Sequence, residues 1–483
     1  MKLTRRSILC GGAVAGMTAL AAPRLARAEA QALRPLSGAE LVAAAQLGGE
    51  VGYLVADART GLVLEAMNAD RAMAPASTAK TITTLYALET LGSSYRFVTR
   101  LLATGPVSGG VLRGDLILAG GGDPTLDTDG LADLAAQLVR AGVRGLTGRF
   151  YTWGGALPYA AEIAADQPVH VGYNPSISGL ILNYNRVHFR WKRGQGGYAL
   201  GMEAWSEKYQ PTAYTIDAAL ANRSTPLFGY RQTGGKEHWT VASGGLNKAG
   251  SLWLPVRLPD AYAGDVFQTL ARAQGCALPA PEPLRGLPAG AQMIAARQSS
   301  ELPVILRSML KYSTNITAEA VGMTASAARG ANAARGASGA AMSAWLAAKL
   351  GGGKARFVDH SGLGAEDRIS ALEMVRAVTL LGPKAGLRGL MKPFGLRDSA
   401  GRTVEVPGLR VDAKTGTLNF VSTLTGFITA PDGTELTFAI FTGDLARRAR
   451  SQSSGEPEGS RTWVRRSKVL QSQLITRWAA LYG

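Results

Sequence analysis

Short apolar runs lie near both ends of the chain, and apolar positions at helical spacing recur between them. Val51 to Ala56 and Leu62 to Ala66 flank the polar stretch Asp57-Ala58-Arg59-Thr60-Gly61, whose final glycine suits a hairpin loop. Pro35 to Leu47 carries apolar positions at helical spacing. Pro75-Ala76-Ser77 opens a segment that runs to Leu91 with Gly92 just beyond, the proline-first, glycine-last order of a helix. From about Tyr95 to Pro288 glycine and proline turns recur, as in Gly120-Gly121-Gly122-Asp123-Pro124. That stretch holds strand-like runs at Val111 to Leu118 and Ile181 to Trp191 and a helical stretch at Leu131 to Ala141. Helical spacing returns at Leu302 to Lys311 and Asn315 to Ala328, and the Ala- and Gly-rich Gly330 to Ala341 reads as a loop and a helix start. Thr417 to Ala430, a Pro431-Asp432-Gly433 turn and Leu436 to Thr442 predict paired strands, followed by an amphipathic helix from Thr462 to Leu481.

This order predicts an α/β (α+β) unit made from both chain ends, residues 29–97 and 294–483, with a second body inserted over 98–293. No repeat of fixed period is present. The inserted region is expected to be mainly β, in one or two subdomains.

The N-terminus changes the setting. Residues 1–28 combine a basic start, an apolar stretch from Ile8 to Ala22 and the small-residue pattern Ala26-Arg27-Ala28, which reads as a signal peptide. Arg5-Arg6 inside it resembles a twin-arginine export signal. An exported, periplasmic location follows as the expectation. No later stretch supplies the ~20 consecutive apolar residues of a membrane-spanning helix, so the mature protein is expected to be soluble or peripheral. Two cysteines, Cys10 and Cys276, make no disulfide framework. The net charge is +17, and loss of residues 1–28, with five basic side chains and no acid, leaves +12. Such a field favours polyanions, and export makes nucleic acid the least suitable of them.

The candidate chemistry centres on a serine. Its hydroxyl is a poor nucleophile at neutral pH and needs a base within hydrogen-bond reach and donors for the developing oxyanion. In Ser77-Thr78-Ala79-Lys80 the i, i+3 spacing puts a hydroxyl beside an amine in the first turn of a helix, where the dipole favours negative charge. A lysine that is partly desolvated and close to another cation sheds its proton more readily. The same spacing recurs at Ser308 and Lys311, but mid-helix, so context decides between them. Ser313-Thr314-Asn315 and Lys414-Thr415-Gly416 supply it. Ser-x-x-Lys, a Ser-Asp-Asn element and Lys-Thr-Gly form the active-site set of β-lactamases and penicillin-binding proteins, and here the three occur in that order with Thr314 in the aspartate's place. By residue type, Ser313 relays a proton to the leaving amine and Asn315 orients the substrate amide and Lys80. Lys414 supplies positive charge, with Thr415 and Thr417 as carboxylate contacts. Gly416 leaves a strand edge open for a peptide to pair with, and the N–H groups of Ser77 and Thr417 form the oxyanion hole.

With these elements the chain resembles the low-molecular-mass class C penicillin-binding proteins, the D-alanyl-D-alanine carboxypeptidase/endopeptidase family. The 236 positions between Ser77 and Ser313 match that family's long insertion between its first and second motifs. Gly114-Asp115-Leu116, Gly122-Asp123-Pro124, Leu182-Asn183-Tyr184-Asn185, Glu319 and Asp359-His360-Ser361-Gly362-Leu363 extend the likeness. His360 stands where the family usually has glycine. Its Gly-Thr-Leu stretch before the third motif is not recognisable in Phe394 to Val406. The resemblance implies a penicillin-recognising serine transferase (β-lactamase-like) domain with a large insertion. It also implies a Ser77 acyl-enzyme, peptidoglycan stem peptides as substrate, β-lactams as inhibitors, and no cofactor. A β-lactamase-like hydrolase or esterase on the same fold, and a non-catalytic wall-binding protein, are the alternatives. Four scattered histidines lack metal-ligand spacing, so no metal site is expected.

Overall fold

The computed structural model describes residues 36–450 and 457–483. The signal peptide and its twin-arginine pair lie outside the described residues. After helix α1 (Gly38–Ala45) come strands β1 (Glu50–Asp57) and β2 (Val63–Met67), then helix α2 (Ala79–Leu91). The middle of the chain contributes β3 (Val98–Ala103), β4 (Leu116–Ala119), helix α3 (Thr128–Arg140) and β5 (Phe150–Trp153). It continues with β6 (Arg186–Gly194), β7 (Gly197–Glu203), β8 (Ile216–Ala221), β9 (Phe228–Thr233), β10 (Lys236–Ala242), β11 (Ala249–Pro255), helix α4 (Pro259–Ala273) and β12 (Gln292–Gln298). Helices α5 (Leu302–Tyr312), α6 (Asn315–Ala328), α7 (Arg335–Leu350) and α8 (Ala371–Leu381) follow. Strands β13 (Arg410–Leu418), β14 (Val421–Thr429) and β15 (Glu435–Gly443) and helix α9 (Ser460–Tyr482) complete the order.

One six-stranded antiparallel sheet joins the chain ends, in the order Lys392–Pro393, β13, β14, β15, β1, β2. Both its faces are covered, and the period-2 alternation of a strand sorts the side chains between them. Tyr53, Val55, Phe438 and Ile440 pack with Trp463 and Trp478 of α9. Leu54, Ala56, Ala439 and Phe441 point the other way into the helices, against Ile82, Val378 and Trp345. With no wet face, these strands read as continuous apolar runs.

The stretch between β2 and α5 forms a five-stranded sheet, Pro281–Pro283, β5, β4, β3, β12, and two three-stranded sheets, β7-β6-β11 and β8-β10-β9. One core runs through all three, from Leu118 and Phe150 to Phe189 and Trp239. Leu157, Ile163, Ile177 and Ile181 attach this body to Ile316, Ala320 and Met323 of α6. Two elements differ from their sequence reading. Val111 to Leu118 is broken at Gly114-Asp115, and the run from Ile181 begins with a 3₁₀ turn at Asn183–Asn185 before strand pairing starts at Arg186. The triglycine is a backbone crossing: a Cβ on Gly120 would stand 2.3 Å from the Gly179 carbonyl, and one on Gly121 2.1 Å from that of Val98.

Candidate active site

Ser77 sits in a 3₁₀ turn, Ala76–Thr78, that leads into α2. Ala76 is held at φ 45, a left-handed conformation that costs an L-residue ~1–2 kcal/mol. Hydrogen bonds to the Pro75 carbonyl from Thr78 Oγ1 (2.6 Å) and from Thr423 Oγ1 on β14 (2.7 Å) brace it. Two glycines let other backbone reach the turn. A Cβ on Gly362 would stand 1.8 Å from the Ala76 carbonyl oxygen, and one on Gly416 2.9 Å from the Ser77 nitrogen. The β13 edge therefore runs directly past the Ser77 amide.

Lys80, one helical turn on, is fully buried. Its Nζ lies 3.0 Å from Ser77 Oγ and donates to Asn315 Oδ1 at 2.7 Å and to the Ser361 carbonyl at 2.6 Å. A neutral amine has two N–H donors and one lone pair, so this environment offers two acceptors and one hydroxyl, a set that the neutral form satisfies completely. Burial pulls the Lys80 pKa down to about 8, against the opposite pull of Asp359, Glu319 and Asp367.

Ser313 ends α5 in the left-handed conformation, φ 60, which swings the chain so that Asn315 starts α6. Ser313 Oγ accepts from Lys414 Nζ at 2.9 Å, and the Thr415 carbonyl accepts from the same amine. Burial holds Lys414 well below the usual lysine range, and the charges of Lys80 and Lys392 push it further. Asn315 Nδ2 donates to the Tyr173 carbonyl at 2.9 Å. Ser77, Ser313, Asn315, Gly362 and Thr417 open on a cleft of about 410 Å³. Thr415 enters the site through its carbonyl. Lys392–Pro393 pairs with Asp412 and Ala413 only, leaving the β13 edge beside the cleft uncovered among the described residues. Ser308 and Lys311 lie on α5, with Lys311 exposed.

Beneath Lys80 is an acid cluster. Asp359 accepts backbone N–H bonds from Ser361 (3.0 Å), Gly362 (2.7 Å) and Gly364 (2.6 Å), which shapes the loop that meets Lys80. Burial, with the Asp359 charge, pushes the Glu319 carboxyl up to about 8 and lifts Asp367 well above the carboxylate range. His360 is also fully buried. Its ring stacks on Tyr86 (6.3 Å between centroids, 8° between planes), meets Ser338 Oγ at 2.6 Å through Nε2 and reaches Met342 Sδ at 3.3 Å. Burial pulls its pKa down to about 4. Gly322 makes the slot: a Cβ there would fall 2.1 Å from His360 Cγ.

Sequence reasoning had not drawn in several neighbours. Gln167 and Tyr173 reach the cleft from the inserted stretch, and Arg448, Ser460 and Arg461 from the C-terminal region. None lies in a motif or a periodic run, which is why pattern alone did not reveal them. Among the described residues no group of three or more His, Cys, Asp or Glu is placed to hold a metal ion, and no helix is long and apolar enough to cross a membrane.

Comparison with known proteins bears on this arrangement. The profile of the D-Ala-D-Ala carboxypeptidase 3 (S13) family matches residues 38–456. A D-alanyl-D-alanine carboxypeptidase of Actinomadura sp. is 30% identical over 436 residues, covering 81% of this chain and 77% of that protein. The D-alanyl-D-alanine carboxypeptidase DacB of Haemophilus influenzae is 24% identical over 449 residues, covering 83% and 88%. The crystal structure of penicillin binding protein 4 from Haemophilus influenzae superposes with a TM-score of 0.74 at 21% identity, covering 91% of this chain and 99% of that one.

Proposed function

This chain belongs to the D-Ala-D-Ala carboxypeptidase 3 family, and from that premise we propose that it hydrolyses D-Ala-terminated or cross-linked peptidoglycan stem peptides through an acyl-enzyme on Ser77. It is a serine-type enzyme of that family. The observation that carries the residue assignment is Lys80 Nζ, which meets two acceptors and the Ser77 hydroxyl.

In this reading Ser77 Oγ attacks the carbonyl of the penultimate D-alanine while its proton passes to Lys80 Nζ. The N–H groups of Ser77 and Thr417 hold the oxyanion, a role supported by the approach of Gly416 to the Ser77 amide. The C–N bond then breaks as Ser313 relays to the departing amine the proton that Lys80 took up, giving its own and receiving that one, so that Lys80 is again neutral for deacylation. The departing amine is free D-alanine in the carboxypeptidase reaction and the cross-linked residue in the endopeptidase reaction. Water releases the acyl group and restores Ser77. Lys414 and the Thr417 hydroxyl meet the substrate carboxylate, whose charge draws a proton back onto the buried Lys414 amine, and Thr415 holds that amine in place through its carbonyl. β-Lactams acylate Ser77 as substrate mimics.

Residues 98–293 are assigned to an inserted region between the two parts of the catalytic domain, supported by the β3–β12 pairing where the chain enters and leaves it. Export is assigned from the N-terminal pattern, with the twin-arginine route supported by Arg5-Arg6.

Intact mass after incubation with benzylpenicillin tests the assignment, with Ser77→Ala and Ser308→Ala in parallel. A covalent adduct lost only in Ser77→Ala, together with D-alanine release from a stem pentapeptide, is the expected result. No adduct and no penicillin consumption by the wild type would remove the acyl-enzyme reading. Rapid penicillin turnover would move the assignment to a β-lactamase.

A further inference from the structure

The inserted stretch contains a second cavity, of about 880 Å³, more than twice the volume of the catalytic cleft. It is bounded by Gly154 to Tyr159, the Gly234-Gly235 turn of the β9–β10 hairpin, the N-terminal end of α4 and the strand Pro281–Pro283. We propose that this cavity is a glycan-binding subsite for an uncharged, N-acylated hexosamine unit of the polymer whose stem peptide is cut at Ser77; it rests on the function proposed above.

The volume falls in the ~300–1,000 Å³ range of ligand sites. The chemistry of the wall is of two kinds. Leu157, Pro259 and Leu284 give apolar surface, and two tyrosines stand at the cavity with much of their rings in solvent, Tyr159 58% and Tyr214 65% exposed. Against these stand two fixed carboxylates. Asp260 accepts from Ser178 Oγ at 2.6 Å, and Asp265 accepts from the Thr215 N–H at 2.9 Å. A pyranose ring presents flat C–H faces and a girdle of hydroxyl and amide groups. It therefore needs apolar and aromatic plates together with hydrogen-bonding groups already in position. Burial pushes the pKa of both aspartates up, and each already accepts from a neighbour that fixes its orientation, leaving its other oxygen to meet a ligand's hydroxyl or amide N–H. Lys236 also lines the cavity, so its two acids are partly balanced by one cation and the wall carries no excess of positive charge to draw an anionic ligand.

The wall is built to close limits. A Cβ on Gly154 would stand 2.1 Å from Ser178 Oγ and 2.4 Å from Asp260 Oδ1. Gly154 and Ser178 are also the two ends of an irregular segment whose middle residues, Gln167 and Tyr173, line the catalytic cleft. Gly179 N–H closes that segment on the Gly154 carbonyl at 2.7 Å, and Ala160 bridges Ile177. Arg257 stitches it from within through the Ala161 (2.7 Å) and Asn174 (2.8 Å) carbonyls. The result is a braced arm with the cavity at its base and the catalytic cleft at its tip. Gln167 lies eight positions beyond Tyr159, so chain length keeps the two within about 28 Å, inside the reach of a sugar carrying an extended stem peptide.

The test uses the full mature chain and tetra-N-acetylchitotetraose as probe, titrated calorimetrically, with maltotetraose as comparison. Tyr214→Ala removes an exposed ring, and Ala261→Trp fills the cavity. Benzylpenicillin acylation of Ser77 is followed on the same samples. The expected result is saturable binding of the N-acylated probe, weakened at least ~10-fold by each variant, with acylation unchanged. No saturable binding by a wild type that acylates normally would overturn the subsite, as would unchanged affinity in Tyr214→Ala. Equal binding of maltotetraose would overturn the N-acyl assignment. Probe binding that is lost in the variants while the wild type fails to acylate would uphold the subsite and sink the catalytic reading instead.

Discussion

Two buried clusters of ionisable groups meet at Lys80, and burial acts on them in opposite directions. On the cleft side are the amines Lys80 and Lys414, which burial deprotonates more readily. Behind them are Glu319 and Asp367, which burial makes hold their protons. Like charge from Lys80 and Lys392 pushes Lys414 down further after burial, whereas at Lys80 the acid groups, Asp359 first, pull against burial and leave it at about 8. The difference teaches what the acid cluster is for. It leaves Lys80 close to neutrality, where the general base proposed for Ser77 would be most effective, instead of far below.

The sharpest way to break this comparison is to remove the amine. Lys80→Met keeps the length and apolar stem of the side chain and abolishes the base. Acylation by benzylpenicillin is expected to slow by at least ~10³-fold, as loss of a base and orienting group does. Stopped-flow or mass-resolved acylation measures it. A loss under tenfold would show that Lys80 is not the base.

The next largest effect tests the packing behind the cluster. Gly322→Ala places a methyl 2.1 Å from His360 Cγ, on a ring held by Ser338 and stacked on Tyr86. Overpacking of this kind costs ~1–3 kcal/mol, although alanine is ~1 kcal/mol better than glycine within a helix. A fall in Tm of several degrees is expected in Gly322→Ala, and His360→Gly in the same chain should recover most of it. Gly336→Ala on α7, with nothing within 4 Å of the new carbon, is the control and should be neutral or slightly stabilising. Additive losses in the double variant would show that the glycine and the histidine do not share one slot.

That pair also marks where the sequence was legible and where it was not. Ser77 and Lys80 could be paired because three residues along a helix is a local rule, and the order of the three motifs singled them out over Ser308 and Lys311. His360 could be seen to depart from its family, but its slot is made by Gly322, 38 positions away, and only packing joins the two. The Ser361 carbonyl on Lys80 is 281 positions from its donor, beyond any pattern. Strand β13 was visible only near its end, because Asp412 and Lys414 interrupt its apolar pattern. Their partners, Arg388 and Arg410 for the acid and Ser313 for the amine, come from elsewhere in the chain or from the strand itself. The arm Gly154 to Ser178 has no regular period, so neither its bracing nor its two cavities could be read ahead.

The pH dependence of acylation gives a smaller and more graded test. In the proposed mechanism Lys80 accepts the Ser77 proton only when neutral, and with a pKa of about 8 it is one-tenth neutral at about pH 7. Acylation by a neutral β-lactam analogue should therefore rise through pH 6 to 8 by about 50-fold and level off above. Asp359 is the acid that raises Lys80 most, so the profile of Asp359→Asn should shift to lower pH. A shift the other way would mean that Asp359 does not act on Lys80 through charge.

The smallest expected effect separates the acid cluster from the histidine beside it, through stability. His360 titrates at about 4 in the folded protein and at 6.5 when unfolded. As pH falls through that window the unfolded chain takes up a proton that the native one refuses, so stability drops by up to ~1.4 kcal/mol per pH unit. Glu319 has the opposite sign. Its native pKa of about 8 lies above the unfolded 4.5, so the native state holds a proton that the unfolded chain gives up, and stability is lost as pH rises from 4.5 to 8. Between 4.5 and 6.5 the two slopes oppose each other. His360→Phe keeps a ring in the slot and removes its titration. Urea unfolding of this variant at half-unit steps should show a stability that gains on the wild type's toward acid across 4.5 to 6.5, by up to ~1.4 kcal/mol per pH unit. Parallel curves for the two proteins would mean that His360 keeps the same proton affinity folded and unfolded. Its burial against Tyr86 and Ser338 would then be a matter of packing alone.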